Sequence, residues 1–356
     1  MKVRIKKNKF LFWGLFALNL AISVCAFALL PDRFFYDAKY ITDKALHGKE
    51  LIGSYAFTIA FYEKLGLSTM HFALVALIQY PILLLTLYKL GLPPNFHKFT
   101  VKNALIYLSF FMLAIFVSMP SKEFITFLFL AITPFIYQTR WNRNFKIVFS
   151  MVLFVAFGLF FRIYFILIPI IAVGMYLVSF IKFKNRVLAV FFYGILISFF
   201  LSMAHGVLKG QFLSQTSREH VNVDRRGKNV NSMIVSPVKT DVWYGEAVGI
   251  LHGFVSVNLP IVEGARHILS PQIVAFTLWQ LLMFYILIVR YLRCLRDREN
   301  KALELWCILF LFAYFIVQGV FEPDLGTAVR HKIGFLPLIY FVFYYDHIRE
   351  KPQHNS

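Results

Sequence analysis

The densest group of chemically capable side chains lies in the segment EPDLGTAVRHK, which carries Glu322, Asp324, Arg330, His331 and Lys332. Pro323 and Gly326 permit a tight turn there, so acids and bases can fold toward each other. A carboxylate or an imidazole can take a proton from an attacking hydroxyl, and a guanidinium can steady the charge on a departing phosphate. If the following apolar run becomes helical near Thr327, Arg330 and His331 sit in its first turn. An ion-pair cluster with a purely structural role would use the same residue types.

Four other places put charge hard against apolar sequence, where an ionisable group usually has a partner or a task. MPSKEF holds Ser121, Lys122 and Glu123. A helix starting at Ser121 accounts for Glu123, which complements the N-terminal dipole. It does not account for Lys122, whose charge opposes that dipole and so points to an anionic ligand. Arg162, followed by Ile163 and Tyr164, stands alone in a long apolar stretch. A turn at Arg162 would split that stretch into two spans and leave a fork suited to phosphate at membrane depth; a snorkelling arginine is the plainer alternative. PDRFFYDAKY offers Asp32 and Asp37 beside aromatics, able to orient a sugar or hold a metal, or to be a solvated loop. The segment 209–269 carries Arg225 and Arg226 in a polar stretch and then Arg266 and His267 against the next apolar run.

The elements that must position these groups follow from composition. Of 356 residues, 59% are hydrophobic, 15% are charged and 42 are Phe. A soluble chain of this length could not cover that much apolar surface, so the fold class expected is an all-α polytopic integral membrane protein. About ten transmembrane helices can be placed, near 10–30, 70–91, 104–119, 123–139, 147–161, 164–181, 187–208, 270–290, 302–320 and 333–346. LIGSYAFTIAFYEKLGL is too short to cross and reads as a helix lying at the outer surface. The stretch from Trp243 to His267 suits interfacial helices within one long extracytoplasmic loop. No repeat or soluble domain interrupts residues 1–356, read as a single membrane domain.

The 37 basic and 18 acidic residues give a net charge of +19. In a soluble protein this would suggest nucleic acid; here it reads as orientation instead. With both termini cytoplasmic, the inner segments hold 21 basic and 5 acidic residues, a net of +16. The outer segments hold 16 basic and 13 acidic residues, a net of +3. Cys25 and Cys307 fall in apolar runs and Cys294 in a basic turn, with no disulfide or metal spacing among them.

Every dense polar site thus faces outward, where no nucleotide cofactor is at hand and a reaction needs a substrate activated and delivered by the membrane. EPDLGTAVRHKIGFLP resembles the acidic-turn-Arg-His element of the bacterial Wzy-type polysaccharide repeat-unit polymerases of O-antigen and capsule synthesis. MPSKEF at a span junction, with Arg162-Ile163-Tyr164 two spans later, is similar to the same group. The resemblance covers roughly residues 100–340. It implies a membrane glycosyltransferase of GT-C-like architecture in the bacterial inner membrane, its active site facing the periplasm. The implied reaction joins undecaprenyl-pyrophosphate-linked repeat units without cofactor or metal, with a chain-length regulator and the repeat-unit flippase as further candidate partners. The implied base is Glu322, Asp324 or His331. Lys122, Arg162, Arg266, His267 and Arg330 would hold pyrophosphate, with Glu123, Tyr164, Arg225, Arg226, Asp32 and Asp37 as secondary candidates. The outer loop is shorter and less arginine-rich than in some members. Two alternatives stay open: a glycosyltransferase using a polyprenyl-phosphate sugar, for which paired acids in the first outer loop are typical, and a flippase or transporter of the lipid-linked sugar.

Overall fold

A computed structural model describes residues 6–43, 51–225 and 232–349. The described chain is all-helical. In order, α1 spans Lys7–Leu29, α2 Tyr36–Thr42, α3 Ser54–Lys64, α4 Phe72–Leu90, α5 Val101–Phe116 and α6 Lys122–Tyr137. Then come α7 Arg143–Phe160, α8 Leu167–Val178, α9 Arg186–Lys209, α10 His220–Arg225, α11 Trp243–Asn258 and α12 Ile261–Arg266. The last are α13 Pro271–Arg296, α14 Ala302–Phe321, α15 Leu325–Gly334, α16 Leu336–Phe343 and α17 Tyr345–Arg349. Six of these, α1, α4, α7, α9, α13 and α14, are long and apolar enough to cross a membrane. Helices also occupy most of the remaining expected span regions, but α5 and α8 are shorter.

Two departures from the sequence reading have local causes. The expected final span at 333–346 is broken between α15 and α16, where Pro337, lacking an N–H, sits in the first turn of the new helix. Cys294, read as part of a basic turn, is buried within α13, which runs on to Arg296. Its continuation is favoured by Arg290, whose Nε meets the buried Glu304 carboxylate at 2.5 Å.

The contacts group the chain into two compact units. The first comprises residues 1–150, 156–163 and 330–356; the second comprises 151–155 and 164–329. In the first unit α1 packs along α4 and α5, and α16 packs on α6. In the second, α14 is the central helix, nearly all of it buried, against α8 and α11.

The α11–α14 contact is set by glycine. Gly245, Gly249 and Gly253 recur every four residues and line one face of α11. A Cβ on Gly253 would fall on the Gly319 carbonyl, and one on Gly319 would stand 2.6 Å from the Phe254 backbone nitrogen. The same glycine face receives Arg218, fully buried, which donates from Nη1 to the carbonyls of Gly249 (3.2 Å) and Gly319 (2.8 Å). Glu246, equally buried, accepts from the hydroxyls of Ser202 and Ser214. Read from sequence as interfacial, α11 packs into its unit through these residues.

Candidate functional site

In the first unit, side chains from five separate stretches meet in one ionic cluster. The pivot is the start of α6. Ser121 caps this helix, its Oγ accepting from the Phe124 amide at 3.2 Å, so Lys122 and Glu123 occupy the first turn. The turn before it is braced from beneath by two fully buried residues. The Tyr62 hydroxyl accepts from the Ser121 amide at 3.1 Å, and Gln79 bonds that hydroxyl at 2.6 Å. In the amide orientation that satisfies all partners, Gln79 also donates toward the carbonyls of Val117, Ser118 and Met119 at 3.0–3.2 Å.

Glu123 is 0% exposed, a position that a lone carboxylate would not hold in ionised form. Its Oε1 accepts from Arg162 Nη2 at 2.7 Å and lies 3.2 Å from His331 Nε2. Arg162 reaches it because α7 ends at Phe160 and the chain turns at Phe161 and Arg162, as the split of that apolar stretch required. His331 reaches it because α15 lies close on α6. At Gly334, one turn after His331, a Cβ would come within 3.3 Å of Thr126 Cγ2, one turn after Glu123.

Asp37, on α2, forms the second half of the cluster. Its Oδ2 accepts from Arg330 Nη1 at 2.7 Å and lies 3.8 Å from Lys122 Nζ, while its Oδ1 accepts from the Tyr55 hydroxyl at 3.0 Å. The Lys122 ammonium also lies over the Tyr55 ring, 3.6 Å from its centre. Tyr55 is brought there by Gly53, whose φ of +110° favours glycine and whose amide donates to the Phe160 carbonyl at the end of α7. Burial alone would raise the Asp37 carboxyl, but Lys122 and Arg330 outweigh it and hold it below its ordinary value. Burial, with Asp37 adding to it, raises the Tyr55 phenol.

The cluster therefore joins Lys122, Arg162, Arg330 and His331 with Glu123 and Asp37. The other sequence candidates have contacts of their own. Glu322 and Asp324 belong to the second unit, where Glu322 accepts from Gln318 Nε2 at 3.1 Å. Asp324 caps α15 by accepting from the Thr327 amide and hydroxyl at 2.8 and 2.7 Å. Their turn is held by backbone pairing of Ile234 to Pro323 and Leu325 to Ser232. Tyr164 stacks on Phe165 and Phe321 in that unit. Arg266 and His267 gather on Glu263 at an exposed edge, and Asp32 pairs with Lys39, also in the open. Arg226 and the side chain of Arg225 lie outside the described residues.

Sequence reasoning missed Tyr55, Tyr62 and Gln79. Tyr55 and Tyr62 lie in the segment read as a surface helix, and Gln79 is a lone polar residue in an apolar span, the one signal that could have marked it. Among the described residues no three His, Cys, Asp or Glu side chains converge as a metal site would require. What the cluster can do chemically is bind an anion beside an imidazole. Glu123 Oε1, 3.2 Å from Nε2, orients that imidazole within the cluster. Comparison of the chain with protein-family models, curated proteins and solved structures finds no match.

Proposed function

We propose that this chain is a membrane glycosyltransferase that joins polyprenyl-pyrophosphate-linked oligosaccharide repeat units, as a Wzy-type polymerase of O-antigen or capsule does. One observation carries the reading. Three cations, Lys122, Arg162 and Arg330, meet around two carboxylates, Arg162 on Glu123 beside His331 and the other two on Asp37, although they come from stretches far apart in sequence. The segregation of basic residues favours an N-terminus in the cytoplasm and this cluster at the periplasmic face of the inner membrane.

In the proposed reaction the acceptor sugar's hydroxyl gives its proton to the His331 imidazole, and its oxygen forms a bond to the donor's anomeric carbon. The bond from that carbon to the pyrophosphate oxygen breaks, and Arg330 and Lys122 take up the negative charge. Glu123 orients His331 and is itself held by Arg162. His331 is favoured over Glu322 and Asp324 as the base because it belongs to the same compact unit as Lys122, Arg162 and Arg330.

The same cluster lends weight to a second reading, a glycosyltransferase that moves one sugar from a polyprenyl monophosphate. Asp37 belongs to the first outer segment, where such enzymes carry acids, and it sits directly on Lys122 and Arg330. Loss of Asp37 therefore does not separate the two readings, but the donor does. Reconstituted protein given a polyprenyl-pyrophosphate oligosaccharide should produce a ladder of joined repeats and release polyprenyl pyrophosphate. Turnover of a polyprenyl-monophosphate sugar alone would decide for the second reading, and no ladder from either donor would remove both.

A further inference from the structure

The two carboxylates of the cluster are held in opposite ways. Glu123 is fully buried on a long helix and tied to an arginine that is itself only 5% exposed. Asp37 has a side chain 28% exposed and stands on α2, a helix of seven residues. Three donors of different chemistry converge on it: the Arg330 guanidinium, the Lys122 ammonium and the Tyr55 hydroxyl. A guanidinium fork beside an ammonium is the donor set that fits the oxygens of a phosphate. Asp37 occupies the place such an oxyanion would take.

We infer that Asp37 is a displaceable counter-ion, which leaves Lys122 and Arg330 when a phosphate or pyrophosphate group binds them and so sets what the site accepts. The inference rests on the reading of this cluster as an anion site. A tethered carboxylate competes at an effective concentration on the order of millimolar or above. A free monoanion at lower concentration gains nothing by replacing it, because it brings the same charge. A ligand with two or more negative charges gains on both cations, and with Asp37 withdrawn the cluster carries the extra positive charge to match it. The resident acid thus selects phosphate over carboxylate, and it offsets part of the charge of Lys122 and Arg330 until the ligand arrives.

The test uses the full chain in detergent, with inorganic pyrophosphate and farnesyl pyrophosphate as probes in calorimetric titrations. Asp37→Asn should bind both about tenfold more tightly than wild type, since a neutral amide competes poorly for the cations. It should also bind acetate, which wild type should reject. Tightening seen with farnesyl pyrophosphate alone would assign the ligand to a lipid headgroup, and tightening with both to the pyrophosphate itself. Unchanged or weaker binding by Asp37→Asn, with binding still lost in Arg330→Ala, would overturn the counter-ion role while leaving the anion site in place. Binding unaltered in Arg330→Ala would instead bring down the anion-site reading.

A second measurement does not depend on Asp37→Asn folding. Tyr36→Cys, exposed on α2, can carry a spin label once Cys25 is replaced by Ser, because Cys294 and Cys307 are buried. Pyrophosphate should loosen the label as α2 is released. Ligand binding with an unmoved label would refute the displacement.

Discussion

Arg162 donates from Nη2 to Glu123 Oε1 at 2.7 Å, joining the last turn of one apolar run to the first turn of another across 39 residues. Neither side chain is more than 5% exposed, so each offsets a charge that burial disfavours. Removing one partner strands a buried charge, at a typical cost of about 3–5 kcal/mol, whereas replacing both by apolar groups of similar size is often neutral. Glu123→Leu and Arg162→Met should each lower the melting temperature in detergent, and the double variant should recover most of the loss. Polymer formation should stay absent in all three. A stable double variant that still polymerises would remove this pair from the site.

Arg330 and lysine differ in shape as well as in basicity. The guanidinium offers a planar fork, which an ammonium cannot reproduce. Loss of one well-placed donor to developing charge typically lowers the rate about 10²–10³-fold. Arg330→Lys should therefore fall nearly as far as Arg330→Ala in the chain-length ladder, with single repeat units still reaching the surface. A normal ladder from Arg330→Lys would show that only the positive charge matters.

The pH dependence of Asp37 has a definite sign. Its folded carboxyl is held below the ordinary value by Lys122 and Arg330, which outweigh the opposing effect of burial. Such a group adds stability above its unfolded pKa, near 3.9, and loses it as the pH falls through the lower folded value. The stability difference between wild type and Asp37→Asn should be flat from about pH 5 to pH 8 and shrink only below about pH 4. A difference that changes between pH 5 and pH 8, measured by thermal melts, would mean that Asp37 is not held ionised by these cations.

How much of this was legible in the sequence differs from residue to residue. Lys122 was marked by its clash with a helix dipole, and Arg162 by its isolation, because both are local oddities that one sequence can display. Their partners were not readable, since Arg330 meets Asp37 across 293 residues and nothing local encodes that contact. Glu322 and Asp324 drew attention through their proximity to Arg330 in sequence, yet within their unit each has a nearer task in ending α14 or starting α15. The helices were readable from apolar runs, but the glycine face of α11 was masked by the polar residues interleaved with it.

Tyr62 and Gln79 give a positioning prediction. Tyr62→Phe keeps the ring packed but removes the hydroxyl that accepts from the Ser121 amide, and so loosens the turn that presents Lys122 and Glu123. A buried amide left without its partner costs about 1–3 kcal/mol. Turnover should fall by at least about tenfold while the apparent KM for the donor changes less, the pattern expected when groups shift relative to the reacting atoms. An unchanged kcat in a folded Tyr62→Phe protein would show that the brace serves the fold alone.

The glycine face offers a contrast within a single residue type. A Cβ at Gly253 would fall on the Gly319 carbonyl and crowd Arg218 Nη1, and both obstacles are fixed, one as backbone and the other by its two carbonyl partners. At Gly14, in α1, a Cβ would meet nothing within 4 Å. Overpacking a tight contact costs about 1–3 kcal/mol or more, while Gly→Ala in an open helix position gains about 0.5–1 kcal/mol. Gly253→Ala should thus lower the melting temperature and Gly14→Ala raise it slightly. Equal effects would mean that α11 and α14 can move apart at little cost, and that Arg218 does not lock them together.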